Sequence, residues 1–124
     1  MELSTNVQFF LELQAQLRIL HWQTKGYPRH IAFGGIYSDM DELIDEFVET
    51  SMGKKGRFVL DESTSTLKIQ NLKEISIVPF LQGIKEKLIG FTEQLDPVKD
   101  TDLLNIRDEM LGKFNKLAYL LTLD

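Results

Sequence analysis

Two histidines and a run of carboxylates hold most of the chemistry open to this chain. His21 and His30 are its only imidazoles, and cysteine is absent from all 124 residues. Thiolate metal sites, disulfides and cysteine nucleophiles are therefore excluded, and any metal would be held by His, Asp or Glu. His21 lies four residues after Leu17 and continues an apolar helical stripe, where an imidazole must satisfy both ring nitrogens or ligate something. Further along, Asp41, Asp45 and Glu49 recur every four residues, which on a helix lines their carboxylates along one stripe. Like charges at that spacing repel by a few tenths of a kcal/mol per pair. Solvent screens that repulsion on an open acidic face, and a bound cation removes it. Both readings stand on the spacing alone; histidines converging on the stripe would favour the cation.

These residues need elements to position them. From Ser4 or Thr5, an N-cap type, apolar residues recur at Val7, Phe10, Leu13, Leu17 and Leu20, the spacing of an amphipathic helix. Gly26 and Pro28 stop it. A second helix starts around His30, buries Phe33, Ile36, Met40, Leu43, Ile44 and Phe47, and fades near Gly53. The short connection makes the two antiparallel neighbours. Residues 53–76 break the pattern with a Ser/Thr-rich run and two β-prone pieces, 57–60 and 66–69, forming a long crossover. Pro79 suits the first turn of a third helix carrying Val78, Leu81, Ile84, Leu88, Phe91 and Leu95 until Pro97 ends it. A fourth follows from Asp100 or Thr101, with Leu103, Arg107, Met110, Phe114, Leu117 and Leu121 on one face.

The reading is one all-α domain over residues 1–124: a four-helix bundle whose single long crossover, between helices 2 and 3, is the connectivity of ferritin-like folds. Fourteen basic against nineteen acidic residues give a net charge of −5. The lysines are scattered, so no basic stripe offers itself to phosphates and nucleic-acid binding is disfavoured. No stretch approaches the roughly 20 apolar residues of a membrane span, and no secretory leader pattern opens the chain. The expectation is a cytoplasmic protein. Phosphate-binding loops, G-x-S-x-G and H-E-x-x-H are absent. So is the Glu-x-x-His pair of di-iron sites built inside one bundle.

The segment His21-Trp22, Gly26, His30, followed by the acidic helix ending in Asp45-Glu46-Phe47-Val48-Glu49, resembles the signature of the Dps miniferritins, the DNA-protecting, iron-oxidising branch of the ferritin-like superfamily. In that family an HWxxxG segment leads to a second histidine and then to a DExxE element. The offsets from His30 to Asp45 and Glu49 match that pattern. The resemblance covers roughly Leu17 to Thr50.

By the resemblance, His21, Asp45 and Glu49 hold the first iron of an oxidation centre, and His30 with the shared Glu49 approaches a second. The histidines come from one subunit and the carboxylates from its two-fold mate. A homodimer is then the minimum unit and a dodecamer the family's larger assembly. Trp22 resembles the tryptophan that gives up an electron during oxidation; its plainer reading is an aromatic packing anchor.

The expected function is oxidation of ferrous iron at an intersubunit site, for iron detoxification or storage. The departures from the family pattern are specific. Gly34 stands where the family has an aspartate, the segment between the histidines is three residues shorter, and Thr50 replaces an arginine. A one-iron centre is therefore as consistent with the sequence as a di-iron one. The alternative function is a non-catalytic oligomeric helical-bundle protein with a degenerate metal site.

Overall fold

A computed structural model describes residues 2–123. Four helices form: α1 (Leu3–Gln23), α2 (Tyr27–Lys55), α3 (Glu74–Gln94) and α4 (Thr101–Leu120), with no strand among the described residues. The all-α class and the four-helix bundle stand as read from the sequence. Among the described residues, no helix is long and apolar enough to cross a membrane.

Local chemistry sets the ends. After α1 the Thr24 N–H still bonds to the Leu20 carbonyl, and Gly26 caps α2 with Pro28 in its first turn. Pro28 thus opens the second helix, because its fixed φ suits a first turn whose N–H groups lack partners anyway. At the other end Gly56 takes φ +88°, the left-handed conformation that glycine adopts without steric cost, and its N–H closes on Met52.

The third helix begins five residues before Pro79. Pro79 therefore sits inside it, where its missing N–H leaves the Ile75 carbonyl without a helical donor. Ile75 is 83% exposed, so water can serve that carbonyl. Burial of Ile77 repays the added turn with core contact. Ile77 is the core residue there, and Val78 points outward at 68% exposure.

Side-by-side packing joins α1 to α2, α2 to α4, and α4 to α3. The ring closes through the Phe9 and Phe91 rings, 6.2 Å apart at 73°. The order around the bundle is thus α1, α2, α4, α3, with α3 diagonal to α2. Phe10 of α1, Phe47 of α2 and Phe91 of α3 meet at the centre with ring separations of 5.3, 5.6 and 5.8 Å. Two of the three contacts are edge-on, the arrangement aromatic quadrupoles favour. Arg107 is buried on α4, and its Nη1 donates to the Leu88 carbonyl at 2.8 Å and to Thr92 Oγ1 at 2.9 Å on α3. A guanidinium can lie in that interface because its donors are answered.

The crossover, residues 56–73, runs along α1. Gln8 Nε2 donates to the Ser63 and Thr66 carbonyls, Glu12 accepts the Lys68 N–H at 3.0 Å, and the Gln16 amide exchanges two hydrogen bonds with the Gln70 backbone at 2.8 and 3.0 Å. Two residues of extended chain advance about 6.6 Å, and four residues of helix about 6 Å. Alternate crossover residues therefore stay in step with every fourth residue of α1. The β-prone piece 66–69 is satisfied by helix side chains instead of a second strand.

The α3–α4 turn is built on carboxylates. Asp96 accepts the Val98 and Lys99 N–H groups at 2.8 Å, and Asp100 accepts the Asp96 N–H at 2.9 Å. Lys54, from the end of α2, bridges Asp102 at 2.9 Å and Asp100 at 3.5 Å. The Lys99 and Val98 N–H groups hold the Asp96 carboxyl below its ordinary pKa. For Asp100 the Asp96 N–H does so first, then the charges of Lys55 and Lys54; for Asp102 the Lys54 ammonium does.

Two outcomes follow from this packing. Phe10→Ala empties the aromatic centre and should lower unfolding free energy by about 3–5 kcal/mol, read from urea denaturation. The three depressed carboxylates contribute stability that is complete above their unfolded pKa of about 3.9 and lost as pH falls through their folded values. Acid melts should therefore show stability falling below about pH 4, and Asp100→Asn should flatten that limb while leaving its shape near neutral pH.

Candidate metal centre

His21 ends α1 and His30 lies in the first turn of α2, and the tight Thr24–Gly26 link folds them onto each other. Their rings stack with centroids 3.9 Å apart at 18°. Each ring also holds the other's backbone: His21 Nδ1 lies 2.8 Å from the His30 carbonyl, and His30 Nδ1 lies 2.8 Å from the His21 carbonyl. A carbonyl only accepts, so both Nδ1 atoms carry the proton. In the neutral rings both Nε2 atoms are then lone-pair donors. A ring N–H tied to a carbonyl is also how metal-ligating histidines are commonly oriented.

Gly34 is part of this arrangement. A Cβ built there would come within 2.9 Å of His21 Cε1 and 3.0 Å of His21 Nδ1. The His21 ring thus lies against the bare α2 backbone, one turn after His30, and an aspartate at position 34 would displace it. The residue that reads as a missing ligand is the space the first histidine occupies. The sequence signal was available as a helical glycine one turn from a histidine, but it identifies itself only once the ring is seen above it.

One turn before His21 on α1, Arg18 meets two aromatic rings. Arg18 lies 3.9 Å above the Tyr37 ring and 5.6 Å from that of Trp22, a cation between two π faces. Trp22 itself is 65% exposed, so it is no buried anchor. Tyr27 lies 6.3 Å from His30.

The carboxylates lie elsewhere. Asp45 and Glu49 follow His30 by fifteen and nineteen residues on the same helix. At about 1.5 Å per residue that separates them from it by about 22 and 28 Å. Both are exposed, and neither carboxylate makes a hydrogen bond or ion pair among the described residues. Asp41, in the same stripe, accepts from Gln14 Nε2 at 2.9 Å. The structure thus brings His21 and His30 together and keeps Asp45 and Glu49 away from them. Among the described residues of one chain, no three His, Asp or Glu side chains converge as a metal site.

Charge is sorted along the sequence here, although Arg29 pairs with Glu74 of α3 and Asp39 lies 3.6 Å from Lys113 of α4. Residues 13–38 contain Arg18, Lys25 and Arg29 and no carboxylate, whereas residues 39–49 contain six carboxylates and no Lys or Arg.

A paired substitution tests the packing under His21. At Gly35 a Cβ meets nothing within 4 Å, so Gly35→Ala should stabilise α2 by about 0.5–1 kcal/mol. Gly34→Ala should instead destabilise by about 1 kcal/mol, overpacking outweighing helix propensity. Histidine nitrogen NMR should show the His21 Nδ1–H bond lost in Gly34→Ala and kept in Gly35→Ala.

Comparison with known proteins adds relatives without an activity. Residues 21–121 match the model of a family described as "Family of unknown function (DUF5856)". The chain is also 26% identical over 111 residues to an uncharacterized 14.6 kDa protein of the mobD-ri intergenic region of Enterobacteria phage T4. That alignment covers 90% of this chain and 80% of the phage protein. No solved structure matches.

Proposed function

The chain belongs to the DUF5856 family, and we propose, on the histidine pair and the helix connectivity, that it is a ferritin-like, Dps-like protein that binds ferrous iron between subunits and oxidises it with peroxide or oxygen in the cytoplasm. The observation that carries this reading is the histidine pair, whose Nδ1 protons are fixed on backbone carbonyls and whose Nε2 lone pairs remain for a metal. The ring order α1, α2, α4, α3 with one long crossover supports the ferritin-like assignment. Imidazole and carboxylate together suit iron in both oxidation states.

In this reading iron is the substrate. His21 and His30 of one protomer and the partner's Asp45 and Glu49 hold it, because about 22–28 Å of rigid helix prevents one chain from supplying both. The opposed charges of residues 13–38 and 39–49 suit an antiparallel meeting of two copies. With position 34 occupied by glycine, the donor set serves one firmly held iron per site. Each ferrous ion gives up one electron, so two turnovers reduce one hydrogen peroxide, with two protons, to two waters. In this reading Trp22, next to His21 in sequence and 5.6 Å from the Arg18 guanidinium, would relay an electron.

A second reading rests on Gly34 and the reciprocal hydrogen bonds. The histidine pair is then a structural clasp closing the α1–α2 turn, in a non-catalytic oligomer with a degenerate site.

Anaerobic ferrous titration followed by oxidant separates the two. Wild-type protein should give a ferric absorbance that His21→Ala and Glu49→Ala each lose. A mixed and refolded sample of those two variants should regain about a quarter of the sites, since half the dimers are mixed and each carries one intact site of two. A wild-type protein with no ferric signal, and a stability that exhaustive chelation leaves unchanged, would establish the clasp instead.

A further inference from the structure

α1 and α3 are the neighbours in the ring that do not pack closely, and a cleft of about 420 Å³ opens along their seam. Phe9 and Leu13 of α1 face Phe80 and Ile84 of α3 across it, and the crossover residues Lys68 and Gln70 form its rim. A second cleft of about 280 Å³ continues from it, sharing Phe9, Glu12 and Lys87, but its far end is polar, with Asn6 and Gln94. Apolar walls therefore give way to polar ones at Lys87.

Lys87 lies 5.1 Å over the Phe9 ring. Neither Lys87 nor Lys68 is ion-paired among the described residues, and the one carboxylate in the cleft, Glu12, accepts the Lys68 backbone N–H. Gly83 lines the apolar cleft in the middle of α3, and a Cβ there would meet nothing within 4 Å. The room above it is not taken up by internal packing. A volume in the range of small-molecule pockets, with an apolar wall and a cation at one end, fits a chain-like molecule with an anionic head.

We propose that the α1–α3 seam binds a medium-chain carboxylate, its aliphatic tail between Leu13, Phe80 and Ile84 and its head group on Lys87. The site is separate from the histidine pair and independent of the iron reading. The crossover makes one wall, so the tie of Glu12 and Gln16 to Lys68 and Gln70 keeps the cleft in shape.

The probe is dodecanoate, titrated below its micellisation concentration into the full-length protein while side-chain NMR signals of Leu13, Phe80 and Ile84 are followed. Saturable shifts at those residues are expected. Lys87→Glu should weaken binding roughly fivefold to tenfold, and the cationic dodecyltrimethylammonium should bind correspondingly less well. Gly83→Leu fills the cleft from an open position and should abolish binding, with circular dichroism confirming an unchanged fold. Shifts that never saturate, that fall outside the seam, or that survive Gly83→Leu would overturn the proposal. So would equal binding of the two amphiphiles.

Discussion

The ring order places α3 diagonally across from α2, and that displacement constrains everything downstream of Lys55. Eighteen residues must leave one corner of the bundle, pass over α1 and enter the opposite corner without burying unpaired backbone groups. The chain does this by running its extended backbone against a ladder of α1 side chains, Gln8, Glu12 and Gln16. α1 thus holds two structures at once: Phe10, Leu13 and Leu17 face the core, and the polar side carries the crossover. Each hydrogen bond of this kind contributes only about 0.5–1.5 kcal/mol net, so the crossover is held by number and register. The aromatic centre, where three helices each bring a phenylalanine, holds the helices themselves.

The apolar stripes were legible in the sequence because a 3.6-residue period leaves a helix little choice of which face to bury. All the core positions read for the first, second and fourth helices are buried, and even Arg107 sits inward on α4 as its spacing required. The third helix was misread at its start. Pro79 is a strong signal for a first turn, but the apolar gain at Ile77 extended the helix past it. The crossover contacts were not legible, since glutamines and a glutamate on the polar side of an amphipathic helix look the same whether they meet water or a backbone.

The candidate site was legible in its parts more than in its arrangement. His21 and His30 could be read as a pair because they flank one turn. That each would carry the other's carbonyl could not, since it depends on the chain reversing within Thr24–Gly26. Gly34 shows the limit most clearly. Measured against a ligand pattern it is a gap, whereas packed against His21 it is the reason the ring can lie flat on α2. An absent side chain has no sequence signature of its own, and its role appears only from the neighbour that fills its place.

The charge sorting on α2 has its own physical logic. Along a single rigid helix, a carboxylate-free segment and an acidic one cannot neutralise each other, because the helix holds them apart by more than the roughly 8–10 Å over which salt screens. Exposed, the acidic stretch bears its own i,i+4 repulsion. In the proposed dimer a two-fold axis would change this, since it would set the acidic stretch of each copy against the basic, aromatic end of the other, twice in one interface. The proposed iron site uses that symmetry: the charge pairing that would orient two copies is the same one that would carry the partner's Asp45 and Glu49 to His21 and His30. Recognition between copies and assembly of the ligand set would then be a single event, and a protomer alone would hold only half of each.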